Sequence, residues 1–222
     1  LPVGKIRLIE IAVAAAGLLN LFLVTRLVPE VLAEGRIVAS ELFSLDALGT
    51  FLVLLITLVG FFVSWYSVGY LRGEVGKGII GPRRVRQYFV LMELFLFAMY
   101  LAVGTTNPII MWIAIEATTL ATAFLISFYN KPSATEAAWK YIMLNSLGLL
   151  LGLLGTLLFL SLPDLRSGTV SWEALLAQAG NFHPLAVKIA FIFVLVGYGT
   201  KVGLAPLHAW LPDAHSKAPS PI

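Results

Sequence analysis

Cysteine is absent from the 222 residues of this chain. Disulfide bonds, thiolate zinc sites and cysteine-ligated iron–sulfur clusters within the chain are therefore excluded. Any redox centre that works together with this chain must lie elsewhere.

Charged residues are also scarce. They make up only 12% of the chain and hydrophobic residues 59%, with a mean hydropathy of +0.92, whereas a soluble domain is about 25% charged. The composition predicts an integral membrane protein. The net charge of +3 is not gathered into a basic stripe with interleaved aromatics, so no nucleic-acid partner is predicted and the basic residues are interpreted as topology signals.

Several motifs of soluble catalysis are missing. The chain has no GxSxG, no HExxH and no glycine-rich phosphate loop, so a hydrolase or an ATP-driven pump has no support. His208 and His215 lie seven residues apart with only Asp213 as a further ligand between them, which predicts no metal site. No catalytic centre is expected in this chain.

Apolar runs of about 20 residues, the length that a helix needs to cross a bilayer, predict about six transmembrane helices. They are Ile6–Val28, Ala47–Leu71, Tyr88–Gly104, Pro108–Phe128, Glu136–Leu162 and Leu185–Pro206. The runs lack the alternation of a membrane barrel, so the fold class is all-α and the chain a single membrane domain over residues 1–222. Gly203, Pro206 and Pro212 predict that the last helix is broken.

Placing the loops alternately on two sides separates the positive charges. One side carries Lys5, Arg7, Arg72, Lys77, Arg83, Arg84, Arg86, Lys131 and Lys217, and the other carries Arg26, Arg36 and Arg166. The positive-inside rule makes the first side cytoplasmic, with both ends of the chain on it. We expect a multi-pass protein of a prokaryotic inner membrane without a cleaved signal peptide.

The connecting segments predict local structure. Pro29–Asp46 reads as an acidic connection and Arg72–Arg86 as a basic turn. Ser133 is predicted to cap a helix with Glu136 as its capping-box partner. Trp172–Phe182 is typical of a short amphipathic helix on the membrane surface.

Two glycine groups predict close helix packing. Gly148, Gly152 and Gly155 form a small-residue stripe on one helix, and Gly197 and Gly199 repeat the pattern on another. Such stripes allow backbones to approach closely, and we interpret both as packing faces without a ligand.

Two charges lie deep inside predicted spans. Glu116 is near the middle of its span, and Lys201 follows a long apolar stretch. Charges at membrane depth are costly and are functional candidates by default, and a buried carboxylate and amine can exchange protons near neutral pH. The alternatives are a neutral Glu116 bonded to a threonine or backbone group, and a Lys201 that snorkels from a helix end.

Five further groups are candidates for proton transfer. Lys140 either passes protons inward or snorkels, and His208 is either a relay or a structural cap of the broken helix. Glu93 either feeds Glu116 or pairs with a loop arginine, whereas Asp213 and His215 are predicted to be solvated interfacial groups with accessory roles.

Two more interpretations concern Glu10 and, again, Glu116. Glu10 is predicted to be an interfacial charge. Glu116 with the hydroxyls of Thr118 and Thr119 also offers oxygen ligands, so Na+ in place of protons stays open.

Three separated motifs resemble the antiporter-like proton-channel subunits shared by respiratory complex I, multisubunit cation/proton antiporters and membrane-bound [NiFe]-hydrogenases. They begin at Trp112 (WIAIEATTL), Glu136 (EAAWKYI) and Gly199 (GTKVGLAPLHAWLPDAHSKAPSP). Within this family the chain most resembles the large membrane subunit of formate-hydrogenlyase or hydrogenase-4 complexes. The likeness runs from Phe61 onward and leaves the first span without a match.

The resemblance implies specific roles. Glu116 and Lys201 occupy the positions of the family's glutamate and lysine pair at the head of a half-channel, Lys140 matches a lysine between them, and His208 falls in the broken-helix segment. Family members have about fourteen helices in two inverted five-helix repeats. The chain is thus expected to hold part of such a subunit, beginning after the first helix and ending before the next relay helix, with residues 88–222 covering most of the first repeat.

The resemblance also implies a function and partners. It predicts a proton-translocating membrane subunit of a redox-driven complex, with other membrane subunits and a peripheral electron-transfer arm that carries iron–sulfur clusters and a NiFe centre in the hydrogenase branch. No cofactor is expected in this chain. The alternatives are a subunit of a multisubunit cation/proton antiporter driven by ion gradients, and a membrane scaffold with structural charges.

Overall fold

A computed structural model describes the backbone of residues 3–162 and 170–222, and the side chains of residues 6–162 and 170–222. The long helices are α1 (Val3–Glu34), α2 (Ala47–Gly76), α3 (Pro82–Gly104), α4 (Pro108–Ile126), α5 (Pro132–Leu160) and α7 (Pro184–Val202). The short elements are β1 (Arg36–Ser40), β2 (Phe43–Asp46), α6 (Trp172–Gln178), a 3₁₀ turn (Ala179–Asn181) and α8 (Leu211–Lys217).

Six of these helices are long and apolar enough to cross a membrane, which confirms the predicted helical membrane fold. Several boundaries differ from the predicted ones. Helix α1 continues through Pro29 to Glu34, and α3 begins at Pro82 and not at Tyr88. A search for apolar runs stops at charged residues, whereas proline at the first helical position starts a helix whatever the charges that follow it.

The connection predicted over Pro29–Asp46 contains an antiparallel hairpin, β1–β2, that the sequence did not predict. The hairpin is tied to the turn between α3 and α4. The backbone N–H of Thr106 donates to the Leu42 carbonyl at 2.9 Å, and the Thr106 hydroxyl donates to the Glu41 carbonyl at 2.7 Å. These bonds satisfy backbone groups of the hairpin loop and fix its position over one end of the helices.

Helices α5 and α7 pack closely along the predicted glycine stripes. A methyl group added at Gly197 would lie 2.1 Å from the Gly152 nitrogen, and one at Gly155 would lie 2.6 Å from the Val194 nitrogen. At Gly148 it would meet the side chain of Thr200 at 2.6 Å. The interpretation as packing faces is confirmed for the stripe on α5 and for Gly197, whereas Gly199 faces Leu204 of the turn after α7. The contact brings the end of α7 against α5.

The start of α5 differs from the predicted capping box. Lys131 occupies the N-cap position without a side-chain cap, and Pro132 is the first helical residue. Ser133 therefore lies inside the first turn, where it cannot cap. Glu136 instead forms an ion pair with Lys140, one turn later, with 2.8 Å between Oε1 and Nζ.

The predicted break after Lys201 is confirmed. Helix α7 ends at Val202, and Gly203 caps it in the left-handed conformation with φ of 83°, which glycine adopts without steric cost. The chain then turns through residues 203–210 and enters α8. The indole N–H of Trp210 donates to the Thr200 carbonyl at 2.9 Å, so a carbonyl freed at the helix end has a partner.

The connections gather at two opposite ends of the molecule. The hairpin, the α3–α4 turn and α6 form one end, since Trp172 donates its N–H to the Thr106 carbonyl at 3.1 Å and Arg36 forms an ion pair with Glu173. The predicted helix over Trp172–Phe182 is confirmed as α6 followed by the 3₁₀ turn. Arg166, assigned to this side by sequence, lies outside the described residues.

Candidate proton-transfer site

Lys201 points into the junction of α4, α5 and α7. Its Nζ donates to the Thr119 hydroxyl at 2.9 Å and to the Tyr141 hydroxyl at 2.7 Å, and it lies 5.0 Å from the centroid of the Tyr141 ring. At 1.5 Å per residue, Thr119 is about 10 Å from the end of α4. A snorkelling lysine would reach for the interface, so this inward geometry contradicts the snorkelling alternative.

Glu116 lies one turn before Thr119 on α4. Its Oε1 accepts a hydrogen bond from the Ser146 hydroxyl at 2.6 Å, whereas its Oε2 is buried and has no partner among the described residues. Within that part of the chain, Glu116 bonds to a serine of α5, not to a threonine or a backbone group as the structural alternative expected.

Glu116 and Lys201 face the same junction but are not in contact. No ion pair within 4.0 Å joins them among the described side chains. Neutral hydroxyls thus provide the direct ligands of the ammonium. Because the carboxylate is not bonded to it, a change in the charge of Glu116 alters the field at Lys201 without breaking a bond between them.

The hydroxyl of Tyr141 connects the lysine to a cavity. It lies 2.7 Å from the Thr122 hydroxyl, and Tyr141, Thr122 and Lys201 all line an open cavity of about 750 Å³. The cavity extends past Trp210 to His215 and Ser216 of α8. The accessory candidate His215 therefore lines the same space as Lys201, from its exposed end.

Lys140 belongs to a separate, exposed cluster. Its Nζ contacts Glu136 at 2.8 Å and Asp213 at 3.0 Å, and about half of its side chain is exposed. The cluster joins the start of α5 to α8 and contains two of the predicted candidates, Lys140 and Asp213.

Two other candidates lie apart from this site. The imidazole of His208 is exposed and makes no hydrogen bond to any side chain or backbone group that the structure describes. Glu93 is half-buried on α3 and has neither a hydrogen bond nor an ion pair within the described ranges. The expected pairing of Glu93 with a loop arginine is not formed there.

Glu10, predicted to be an interfacial charge, forms an ion pair with Arg72, the first residue of the basic turn. The Glu10 side chain is 6% exposed and accepts two hydrogen bonds from Arg72, from Nε at 2.9 Å and from Nη2 at 2.6 Å. This pair joins α1 to α2. An apolar-run search could not find it, because the partners are 62 residues apart in the chain.

The sodium alternative has weaker geometric support. The Thr119 hydroxyl accepts a hydrogen bond from the Lys201 ammonium at 2.9 Å, so a positive charge already lies beside one of the oxygens that Na+ would need. Across the described ranges no three His, Cys, Asp or Glu side chains gather in a way that would hold a metal ion.

Sequence reasoning missed three polar residues of the site: Thr119 as a lysine ligand, Tyr141 and Ser146. A signal for them was present. Thr119 is three residues from Glu116, on the same helix face, and Tyr141 follows Lys140 directly. The choice of partner depends on how α4 and α5 face each other, which the sequence pattern does not fix.

The chain matches known proteins over the same region. A profile described as "NADH:quinone oxidoreductase/Mrp antiporter, TM" matches residues 105–222, which contain α4, α5, α7 and the whole candidate site. The chain belongs to this family. A second profile, "NADH-Ubiquinone oxidoreductase (complex I), chain 5 N-terminus", matches residues 34–78. The resemblance predicted from the three motifs is confirmed.

Curated relatives of this chain are considerably longer than the chain itself. A "Hydrogenase-4 component F homolog" of Methylacidiphilum infernorum is 39% identical, over 81% of this chain and 39% of its own length. "NADH-quinone oxidoreductase subunit N" of Maricaulis maris is 30% identical, over 94% of this chain and 40% of its own length. The chain thus spans about two fifths of the length of these relatives.

Solved structures share the fold. A chain of the archaeal membrane-bound sulfane sulfur reductase superposes with a TM-score of 0.81 at 21% identity, over 96% of this chain and 43% of that one. A chain of respiratory complex I from Thermus thermophilus superposes with a TM-score of 0.67 at 21% identity, over 97% of this chain and 47% of that one. The antiporter-like membrane fold is therefore shown.

Proposed function

We propose that this chain is part of a proton-translocating membrane subunit of a redox-driven complex, in which Glu116 governs the protonation of Lys201. One observation carries the proposal: a lysine ammonium inside the helix bundle is held by two neutral hydroxyls, with a carboxylate near but not bonded to it. Such a charge is costly at membrane depth and is typical of proton pathways.

In the proposed mechanism, Glu116 sets the electrostatic field at Lys201. While Glu116 is ionised, its negative charge stabilises the ammonium. When a proton neutralises Glu116, that attraction is lost and Lys201 releases a proton to the cavity lined by Thr122. The Tyr141 hydroxyl, in contact with both Lys201 and Thr122, is placed to pass it on.

The other candidates take peripheral roles in this proposal. His215 receives or supplies protons at the open end of the Lys201 cavity, while Lys140 and Asp213 form an exposed entrance at the same end of the bundle. His208 and Glu93 serve pathways toward the parts of the subunit beyond this chain. Each role rests on position alone.

The proposed energy source lies in partner proteins. The chain has no cysteine, and we propose that other subunits supply an electron-transfer arm with iron–sulfur clusters, and a NiFe centre if the complex is a hydrogenase. The hydrogenase-4 and NADH-quinone oxidoreductase relatives support this assignment. We propose a prokaryotic inner membrane as the location, with the basic end of the bundle cytoplasmic.

The decisive experiment uses the purified complex reconstituted in vesicles. Lys201→Ala and Glu116→Gln should each reduce proton uptake, followed with a pH-sensitive dye, to background while assembly is unchanged. Lys188→Ala is the matched control, because Lys188 is exposed near the opposite end of α7. Undiminished uptake in both site variants would show a scaffold with structural charges instead.

A gradient-driven cation/proton antiporter is the second candidate, favoured by the Mrp antiporter in the family description. Mass spectrometry of the complex purified in mild detergent separates the two. Redox proteins that travel with this chain would support the redox-driven pump. Small membrane subunits without redox proteins, together with Na+-dependent proton release from vesicles, would support the antiporter.

A further inference from the structure

Two buried acceptor atoms at the Glu116–Lys201 junction have no partner in the described structure. They are Oε2 of Glu116 and Oδ1 of Asn145, a residue of α5 that is fully buried. The amide Nδ2 of Asn145 donates to the Tyr141 carbonyl at 2.9 Å, so its carbonyl oxygen is left over. A buried polar atom without a partner loses hydrogen bonds that it made in water.

The two atoms lie on the same side of the lysine ligands. The ligands of Lys201 are Thr119 on α4 and Tyr141 on α5. Glu116 lies one turn from Thr119, and Asn145 lies one turn from Tyr141. Asn145 also adjoins Ser146, which donates to Glu116. Both helices thus place an unpartnered oxygen one turn deeper than the ammonium.

Lys201 supplies the matching donor. An ammonium has three N–H groups, and two of them are used by Thr119 and Tyr141. One donor and two acceptors remain at the junction. A single water completes this set, accepting from Lys201 and donating to Glu116 and to Asn145. Buried waters typically make about three such hydrogen bonds to otherwise unsatisfied groups.

We infer that Asn145 is a positioning residue that holds one buried water between Glu116 and Lys201. This inference rests on the proposed function and deepens it, because the water provides the link by which the separated pair exchanges a proton. The amide Nδ2 is satisfied by the Tyr141 carbonyl of the same helix, which leaves Oδ1 to hold the water.

Two measurements on the assembled complex test the inference. Electron cryo-microscopy should show density for one water within hydrogen-bond distance of Oε2 of Glu116, Oδ1 of Asn145 and Nζ of Lys201. Asn145→Leu should remove that density and slow proton uptake by about 100-fold, the lower end of the range expected when a positioned proton-transfer group is lost, without slowing electron transfer measured in the presence of an uncoupler.

Asn145→Asp separates positioning from packing, since it keeps the shape and the acceptor oxygen. The water should remain, and the added negative charge should hold Lys201 protonated to higher pH, so the pH profile of uptake shifts upward. Thr156→Val is the matched control, because Thr156 is a buried polar residue of the same helix bonded to Tyr198. The water density decides between the two roles, because the added charge shifts the pH profile in either case, whereas a merely structural Asn145 would show no water in either protein.

Three results would overturn the inference. They are a junction without water density, a direct contact between Glu116 and Lys201 in the complex, and an Asn145→Leu complex that translocates protons at the normal rate. Failure of the proposed function is distinguishable from these. In that case Lys201→Ala retains proton uptake whatever the density at the junction shows.

Discussion

A buried ammonium needs ligands, and their charge decides what the lysine can do. A bonded carboxylate would fix the proton on Lys201, whereas the hydroxyls of Thr119 and Tyr141 solvate it without neutralising it. The face of the Tyr141 ring, 5.0 Å away, adds a cation–π attraction. The protonation of Lys201 is therefore left to the more distant and changeable charge of Glu116.

Tyr141→Phe tests this role of the hydroxyl. The change keeps the ring but removes one ligand of the ammonium and the contact with Thr122. A hydrogen bond to a charged group is worth about 1.5–3 kcal/mol, so we expect proton uptake to fall about tenfold or more, with assembly unchanged.

Tyr198→Phe is the matched control for that change. The Tyr198 hydroxyl lies 2.9 Å from Thr156 in the same α5–α7 interface, and neither group contacts Lys201. Equal losses of uptake in the two variants would contradict a specific role for Tyr141 and indicate a general effect of interfacial hydroxyls.

The contact of α5 with α7 is the element on which the site depends, because it sets where the end of α7 lies. Gly197→Ala would place a methyl group 2.1 Å from the Gly152 backbone nitrogen, and backbone cannot give way as a flexible side chain can. Overpacking of this kind typically costs about 1–3 kcal/mol. We expect a lower melting temperature of the assembled complex.

Gly69→Ala in α2 provides the comparison for the helix-propensity effect. Apart from its own helix, nothing lies within 4 Å of a methyl group at Gly69, and alanine favours a helix over glycine by about 0.5–1 kcal/mol. This variant should be neutral or slightly stabilised. Equal melting temperatures for the two variants would mean that the glycine contact between α5 and α7 is looser than described.

The hairpin and α6 are tied by a pair that responds to pH. Partial burial raises the pKa of Glu173, but hydrogen bonds from its own backbone N–H, from Ser171 and from Arg36 together hold the pKa below its ordinary value. A lowered pKa stabilises the folded state above the ordinary glutamate pKa, and this contribution is lost as the pH falls through the lower, folded value.

Hydrogen exchange of the hairpin amides measures that contribution. Protection of β1 and β2 should decrease as the medium is acidified, and Glu173→Gln should remove the pH dependence. Both partners are more than one third exposed, so solvent screening limits the effect to about 1 kcal/mol or less. Glu41→Gln, on the same hairpin loop but outside the pair, should leave the pH dependence unchanged.

The sequence predicted the elements more fully than their contacts. Long apolar runs indicated the six spans, and the glycine stripes indicated where α5 and α7 meet, because these signals are local. The hairpin and the ion pair between Glu10 and Arg72 were missed, since each depends on groups brought together by the fold. Lys201 and Glu116 were found because they are charged residues within apolar spans, whereas Ser146 is uncharged and does not stand out in such a span.

The whole molecule has two chemically different ends. The helix contacts place the basic segments Arg72–Arg86 and Lys131 at the end that also carries α8, opposite the hairpin and α6. Lys188, near the start of α7, adds a positive charge to the hairpin end that the loop count omitted. The basic end keeps a clear excess, so we expect it to face the cytoplasm.

The absence of cysteine from this chain makes that orientation directly measurable. A cysteine is placed in this chain after any cysteines elsewhere in the complex have been replaced by serine, and a membrane-impermeant maleimide then labels it only from the side on which it lies. Lys77→Cys, in the α2–α3 turn, should be labelled in inverted vesicles and protected in intact cells. Gly180→Cys, in the 3₁₀ turn after α6, should show the opposite pattern, because the two positions lie at opposite ends of the bundle.

Detergent permeabilisation should expose both thiols and serves as the control for reactivity. Labelling of both from one side would contradict the arrangement of the spans, whereas a simple exchange of the two patterns would keep the fold and reverse its orientation, which would place the cavity of Lys201 and His215 toward the outside.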